Sequence, residues 1–333
     1  MKYNSLLFGN GLTLNLLYQL QPYIPENKCY LLSIDSFLKE WIKGGISQRE
    51  ENKLYTAMYG KDKYKHQKFE MIKDDLNIYF QTYSSDLEYF LGATLFDKKN
   101  DLLNRVKTVF PLFYNAWWII LAEYLEYQNL NNRINNFYQQ VAGIVTEPGY
   151  IYTTNFDLFG ESIHPEHLHG RFVQPLNRYE DVIFHTFKFN FEEKEEKNFR
   201  FKYIWGHNGI GKRNLINKLH SYSASSKFFD FGFFFNDDIK ISNMLIYGMG
   251  FKNSGYISQL QEKYPRYQKA AFGGIIDEHI LVRICGLQES GKLNQVDVTY
   301  YDEGEREHLH EVLEACMVPN YRLINCQDFN FHV

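Results

Sequence analysis

Three side chains able to do chemistry stand in one short stretch, IYTTNFDLFGESIHPEHLHGRF, from Ile151 to Phe172. An amide, Asn155, and a carboxylate, Asp157, follow directly on an apolar run, and an imidazole, His169, comes later in Leu168-His169-Gly170. Thr153 and Thr154 add hydroxyls beside the amide. Delivered to one crevice, such groups can orient a polar ligand, stabilise charge that develops on it and move a proton. The plainer alternative is a helix start, because Asn and Asp are both favoured N-caps.

For these groups to converge, the apolar run must be a strand that ends where other loops meet. Val145 to Tyr152 reads as that strand, with Pro148-Gly149 marking a turn just before it. In an open α/β sheet, ligands sit beyond the carboxyl ends of the strands. Ser5 to Phe8 is a second strand, ending in Gly9-Asn10-Gly11 and followed by Leu12 to Leu20 at helical spacing. A glycine turn feeding a helix N-terminus lets backbone N–H groups approach a phosphate, and Thr13 could add a hydroxyl. The full GxGxxG is absent, so a turn with no ligand is the alternative. Asn243 to Phe251, NMLIYGMGF, is another buried strand, emptying into Gly248 and Gly250.

Between the first two strands, residues 35–143 turn helical. Stretches such as HQKFEMIKDDLNIYFQTY and AWWIILAEYLEYQNLNNRINNFYQQVAG repeat apolar residues at three- and four-residue steps. They predict a large helical insertion whose aromatic stripes are core. Asp181 to Phe201 reads as a strand or hairpin leading into a charged, solvated loop. Ile280 to Ile284 and Val296 to Tyr301 read as short β-rich runs, with a terminal helix, REHLHEVLEAC, after them. Its His308 and His310 stand two apart and face different sides, which argues against a helical metal pair. The expected fold is α/β, a Rossmann-like, mostly parallel sheet in one domain over residues 1–333 that carries the helical insertion.

One motif misleads. In YIWGHNGIGKR, Gly206, Gly211 and Lys212 meet the phosphate-loop spacing, but the hydroxyl needed for magnesium is replaced by Arg213. His207, in the same stretch, rivals His169 for any catalytic role.

Composition narrows the classes. Of 333 residues 44% are hydrophobic, with 26 Tyr and 28 Phe, enough for a sizeable core rather than disorder. A net charge of −4 argues against a dedicated nucleic-acid face. Cys29, Cys285, Cys316 and Cys326 form no CxxC pair, so neither a zinc ribbon nor a redox dithiol is written here, and a reducing compartment suits them. The N-terminus lacks a signal-peptide cleavage site, and Val109 to Leu125, interrupted by Pro111, Asn115 and Glu123, suits a buried helix better than a membrane span. A cytoplasmic protein is expected.

Taken in order, LFGNGL, YTTNFD, HLHG and LIYGMGF resemble the sirtuin-like NAD-binding proteins, most of all the bacterial branch associated with phage defence. The resemblance implies a Rossmann-like fold with a helical module, and NAD as ligand and substrate. By position it implies that Asn155 works at the nicotinamide ribose beside Thr154, with Asp157 the carboxylate two residues on and His169 the base. It implies a phosphate-facing turn of Gly9, Asn10, Gly11 and Thr13, and an adenosine half held at Gly248 and Gly250. The zinc module and first-loop signature of sirtuin deacylases are missing, which favours NAD cleavage by water, without a metal, over acyl-lysine removal. The resemblance further implies a homo-oligomer or a complex with a second defence protein. Two alternatives stay open: a sensor or scaffold that binds NAD or ADP-ribose without turnover, and an abortive-infection protein with nuclease or NTPase activity.

Overall fold

The computed structural model describes residues 2–59, 66–83, 100–106, 109–155, 157, 159–167, 241–251 and 278–333. Its centre is a six-stranded sheet in which every neighbouring pair is parallel. The strands are β1 (Tyr3–Phe8), β2 (Val145–Thr153), β3 (Glu166–His167), β4 (Ile241–Tyr247), β5 (Leu293–Tyr300) and β6 (Tyr321–Asn325). Their spatial order, β3-β2-β1-β4-β5-β6, reverses direction between β1 and β4. That is the strand order of doubly wound dinucleotide-binding sheets, whose crevice opens at the reversal.

The sequence of the central strands follows from burial on both faces. Leu6, Leu7 and Phe8 in β1, and Met244 to Tyr247 in β4, are all sealed from solvent, so both strands read as unbroken apolar runs. Side chains of alternate parity then feed two separate cores. Leu6, Phe8, Leu245 and Tyr247 join one cluster, while Leu7, Met244, Ile246, Val296 and Val298 join the other.

The first core lies under helices α1 (Asn10–Leu20), α2 (Ile34–Ile42), α3 (Gln48–Tyr59), α4 (His66–Thr82), α5 (Asp101–Val106), α6 (Val109–Tyr127) and α7 (Asn131–Ala142). Apart from α1, these helices lie between β1 and β2 in the chain. Many of their described aromatic residues are core: Trp41 stacks on Phe113 at 5.7 Å, Tyr79 meets Phe110 at 5.3 Å, and the Trp117 indole donates to the Leu31 carbonyl at 2.8 Å. Among the described residues no helix is long and apolar enough to cross a membrane. The second core lies under α8 (Glu278–Glu289) and α9 (Glu303–Ala315).

Three local readings change. Ile280 to Ile284 is not a strand but the middle of α8, whose buried residues Ile280, Leu281, Ile284 and Leu287 repeat at helical steps over a longer window. Pro148-Gly149 lies inside β2, not before it. There β1 advances from Tyr3 to Ser5 while β2 advances from Val145 to Tyr150, so the turn is an irregularity within the strand. Strands β3 and β6 have no counterpart in the sequence reading. The Asp181–Phe201 segment and the phosphate-loop look-alike lie outside the described residues.

Candidate functional site at the strand ends

Three strands end around Gly9. The Gly9 N–H donates to the Tyr247 carbonyl at the end of β4, and the Thr154 N–H donates to the Phe8 carbonyl at the end of β1. Thr153 adds a side-chain donor to that same carbonyl at 3.0 Å. The loops of β1 and β4 then touch backbone to backbone. The Gly11 N–H donates to the Gly248 carbonyl at 2.9 Å, and a Cβ on Gly11 would stand 2.6 Å from the Gly248 Cα. Gly248 itself has φ of +68°, a left-handed conformation that favours glycine. These glycines are explained by close packing of two loops, and the N–H groups of Gly9 and Gly11 are spent on β4.

Beside this junction, on the α1–α7 side of the sheet, four polar side chains meet away from water. Thr13, Asn155 and Asp157 are only 1%, 3% and 5% exposed, and Tyr138 is fully buried. The Thr13 hydroxyl donates to Asp157 Oδ2 at 3.1 Å, and Asn155 Nδ2 donates to the Thr13 oxygen at 2.9 Å. The Tyr138 hydroxyl lies 3.3 Å from the same oxygen. Threonine has one proton to give. With that proton on Asp157, Tyr138 must be the donor to Thr13, and the amide of Asn155 must present its nitrogen. Thr13 thereby transmits the orientation demanded by Asp157 to both neighbours. Burial first, and then the negative charge of Asp157, push the Tyr138 phenol well above its ordinary range, so it stays a neutral donor.

Local structure explains how each side chain gets there. Thr13 shares the buried stripe of α1 with Leu16, Leu17 and Leu20, and Tyr138 shares that of α7 with Ile134, Phe137 and Val141. The Asn155 N–H is held by Thr153 Oγ1 at 3.0 Å. Asp157 Oδ1 accepts from the Phe159 N–H at 3.0 Å, starting the short helical turn Phe159–Ile163. The capping alternative is therefore realised through one oxygen of Asp157 while the other holds Thr13. Phe329 to Val333 brace both helices. Phe331 packs on Phe137 and Tyr247, and the Gln19 and Gln140 amides each bond backbone N–H and C=O groups of this segment.

Of the residues singled out in the sequence, Gly9, Gly11, Thr13, Thr154, Asn155, Asp157 and Gly248 come together, with Asn10 exposed at the start of α1 and Gly250 in the loop after β4. Thr13 faces Asn155 and Asp157 from the inward side of its helix. His169 and His207 lie outside the described residues. His308 and His310 do point apart, the first to the Phe251 carbonyl and the second to the Tyr321 hydroxyl. Tyr138 was not legible as a site residue, because its spacing is that of a core aromatic. Among the described residues no three His, Cys, Asp or Glu side chains gather as a metal-binding group. Set against family models, characterised proteins and solved structures, the chain matches none of them. What the geometry defines is a class: a parallel α/β sheet with a desolvated polar cluster at its strand ends.

Proposed function

We propose that this protein hydrolyses NAD to nicotinamide and ADP-ribose, as an antiphage, abortive-infection effector. The observation that carries the reading is the Thr13–Asn155–Asp157 network, held out of water beside the point where the strand order reverses. Cleaving the nicotinamide–ribose bond develops positive charge on the sugar. A carboxylate and an oriented amide in a low-dielectric setting stabilise such charge without having to reorganise.

The chain's own residues fit a dinucleotide in outline. Asp157 supplies the negative charge, Thr13 fixes the sense of the Asn155 amide, and Tyr138 holds Thr13 from behind. The loop of Gly248 and Gly250 takes the adenosine half. Because Gly9 and Gly11 have already committed their N–H groups, the pyrophosphate meets the exposed Asn10 and the positive end of α1. His169 accepts the proton of the attacking water, with His207 as its rival; the water oxygen bonds to the ribose carbon as nicotinamide leaves. The enzyme works in the cytoplasm, held off in healthy cells and controlled by self-assembly or by complex formation with a second defence protein.

Incubating the purified protein with NAD tests this. Stoichiometric release of nicotinamide and ADP-ribose is expected. NAD that binds and stays intact would favour the sensor or scaffold reading, and metal-dependent cleavage of nucleic acid or ATP with NAD untouched would favour the third.

A further inference from the structure

The loop that follows β4 is held in an unfavourable shape. After Gly248, whose positive φ suits glycine, the chain reaches Phe251, whose φ of +42° lies in the left-handed region that a bulky side chain rarely adopts. Such a conformation persists only where its surroundings over-determine it. Here the anchors are visible. Thr299 Oγ1, near the end of β5, accepts the Gly248 N–H at 3.0 Å. The Gly248 carbonyl accepts the Gly11 N–H. The Phe251 ring is buried in the core under α8 and α9. The Phe251 carbonyl lies 3.2 Å from His308 Nε2, which reaches it from α9. A carbonyl can only accept, so Nε2 carries a proton, and both the neutral Nε2–H tautomer and the imidazolium satisfy that bond.

We propose that His308 is a positioning residue for the adenosine end of the ligand: by holding the Phe251 carbonyl, it fixes the shape of the Gly248–Phe251 loop at the strand-order reversal. The inference rests on the function proposed above. It gives His308 no proton to transfer and no contact with the reacting atoms, so its loss weakens ligand binding and leaves the chemical step alone.

The test compares His308→Leu, which removes the donor, with His308→Gln, whose amide N–H can reach the place of Nε2 on a more flexible side chain. For the leucine variant a rise of about fivefold in KM for NAD is expected, the scale of one lost hydrogen bond, with kcat within about twofold of wild type. AMP, used as the probe in calorimetry, weakens by the same factor. Backbone amides of Met249 to Phe251 exchange faster with solvent, the pH–rate profile keeps its shape, and the glutamine variant recovers most of the KM. A fall in kcat at unchanged KM, or wild-type KM and exchange in His308→Leu, would overturn the inference while leaving the hydrolase standing. A wild type that neither binds AMP nor turns over NAD would instead overturn the proposed function and this ligand assignment with it.

Discussion

Two buried carboxylates divide this molecule. Asp297, in the middle of β5, is 2% exposed and accepts from the Tyr3 hydroxyl at 2.7 Å, from Gln295, and from the Arg322 guanidinium through two bonds of 3.1 and 2.6 Å. Asp157, beyond the end of β2, is as well buried, but a threonine hydroxyl and a backbone N–H hold it. The first lies within the strands, where paired residues Leu245, Asp297 and Arg322 cross the sheet. A cation there neutralises the charge, so the cluster ties β1, β5 and β6 together. The second lies where strands stop and loops meet. The donors described for it, a hydroxyl and a backbone N–H, orient the carboxylate toward Thr13 and the turn that follows. A buried charge inside the sheet that is matched by a cation serves the fold; the one at the strand ends, oriented by a hydroxyl and a backbone N–H, is the carboxylate we propose stabilises a developing positive charge.

The sharpest way to break that comparison is to change both carboxylates alike. Asp157→Asn keeps an acceptor for Thr13 but removes the charge, so NAD hydrolysis should fall by about 10²–10³ while thermal stability changes little. Asp297→Asn should do the reverse: a normal rate, and a loss of about 1–3 kcal/mol in urea unfolding, because Arg322 loses its ionic partner. Arg322 is 46% exposed, which keeps that loss below the cost of breaking a fully buried pair. Equal rate losses in the two variants would erase the distinction. Thr13→Val has a smaller effect, about tenfold to a hundredfold in rate, since it removes the orientation of Asn155 and leaves the amide and the charge in place. Combined with Asp157→Asn its cost should not add, as both disable one network.

The smallest effect concerns a third carboxylate, Glu50, in the helical insertion. Burial would raise its pKa, but bonds from Lys28, Ser47 and Tyr30 outweigh that and hold it below the usual value of 4.5. A depressed carboxylate contributes stability above its unfolded pKa and loses it as pH falls through the folded one. Tryptophan-monitored unfolding of the wild type should therefore weaken below about pH 4.5 more steeply than that of Glu50→Gln. Parallel acid profiles would remove Glu50 from the cation-paired, structural group.

Much of the frame was legible because its signals are local. Strands β1 and β4 are apolar runs that end in glycines, β2 and β5 carry shorter β-rich stretches, and apolar residues at three- and four-residue steps mark the helices described between β1 and β2. Where apolar runs were short, the window failed: Ile280 to Ile284 is β-like alone and helical once Leu287 is counted. Tyr321 to Asn325 is a half-buried edge strand whose alternation is too weak to stand out. In the site, TTNFD could be located, but not what it meets. That Thr13 turns inward was written in its spacing with Leu16, Leu17 and Leu20, yet the glycines before it suggested an outward-facing phosphate turn. The hydroxyl of Tyr138 and the imidazole of His308 matter through partners more than a hundred and more than fifty residues away, respectively, and no local pattern encodes such pairings.

The most direct measurement follows nicotinamide release by the wild type and by Asn155→Ala, with NAD affinity and melting temperature taken on the same samples. Truncating an amide that acts mainly in the transition state should cost about 10²–10³ in rate and leave binding and melting close to wild type. An Asn155→Ala protein that hydrolyses NAD at the wild-type rate, or one that loses activity only because it unfolds, would contradict the assignment of this cluster to chemistry.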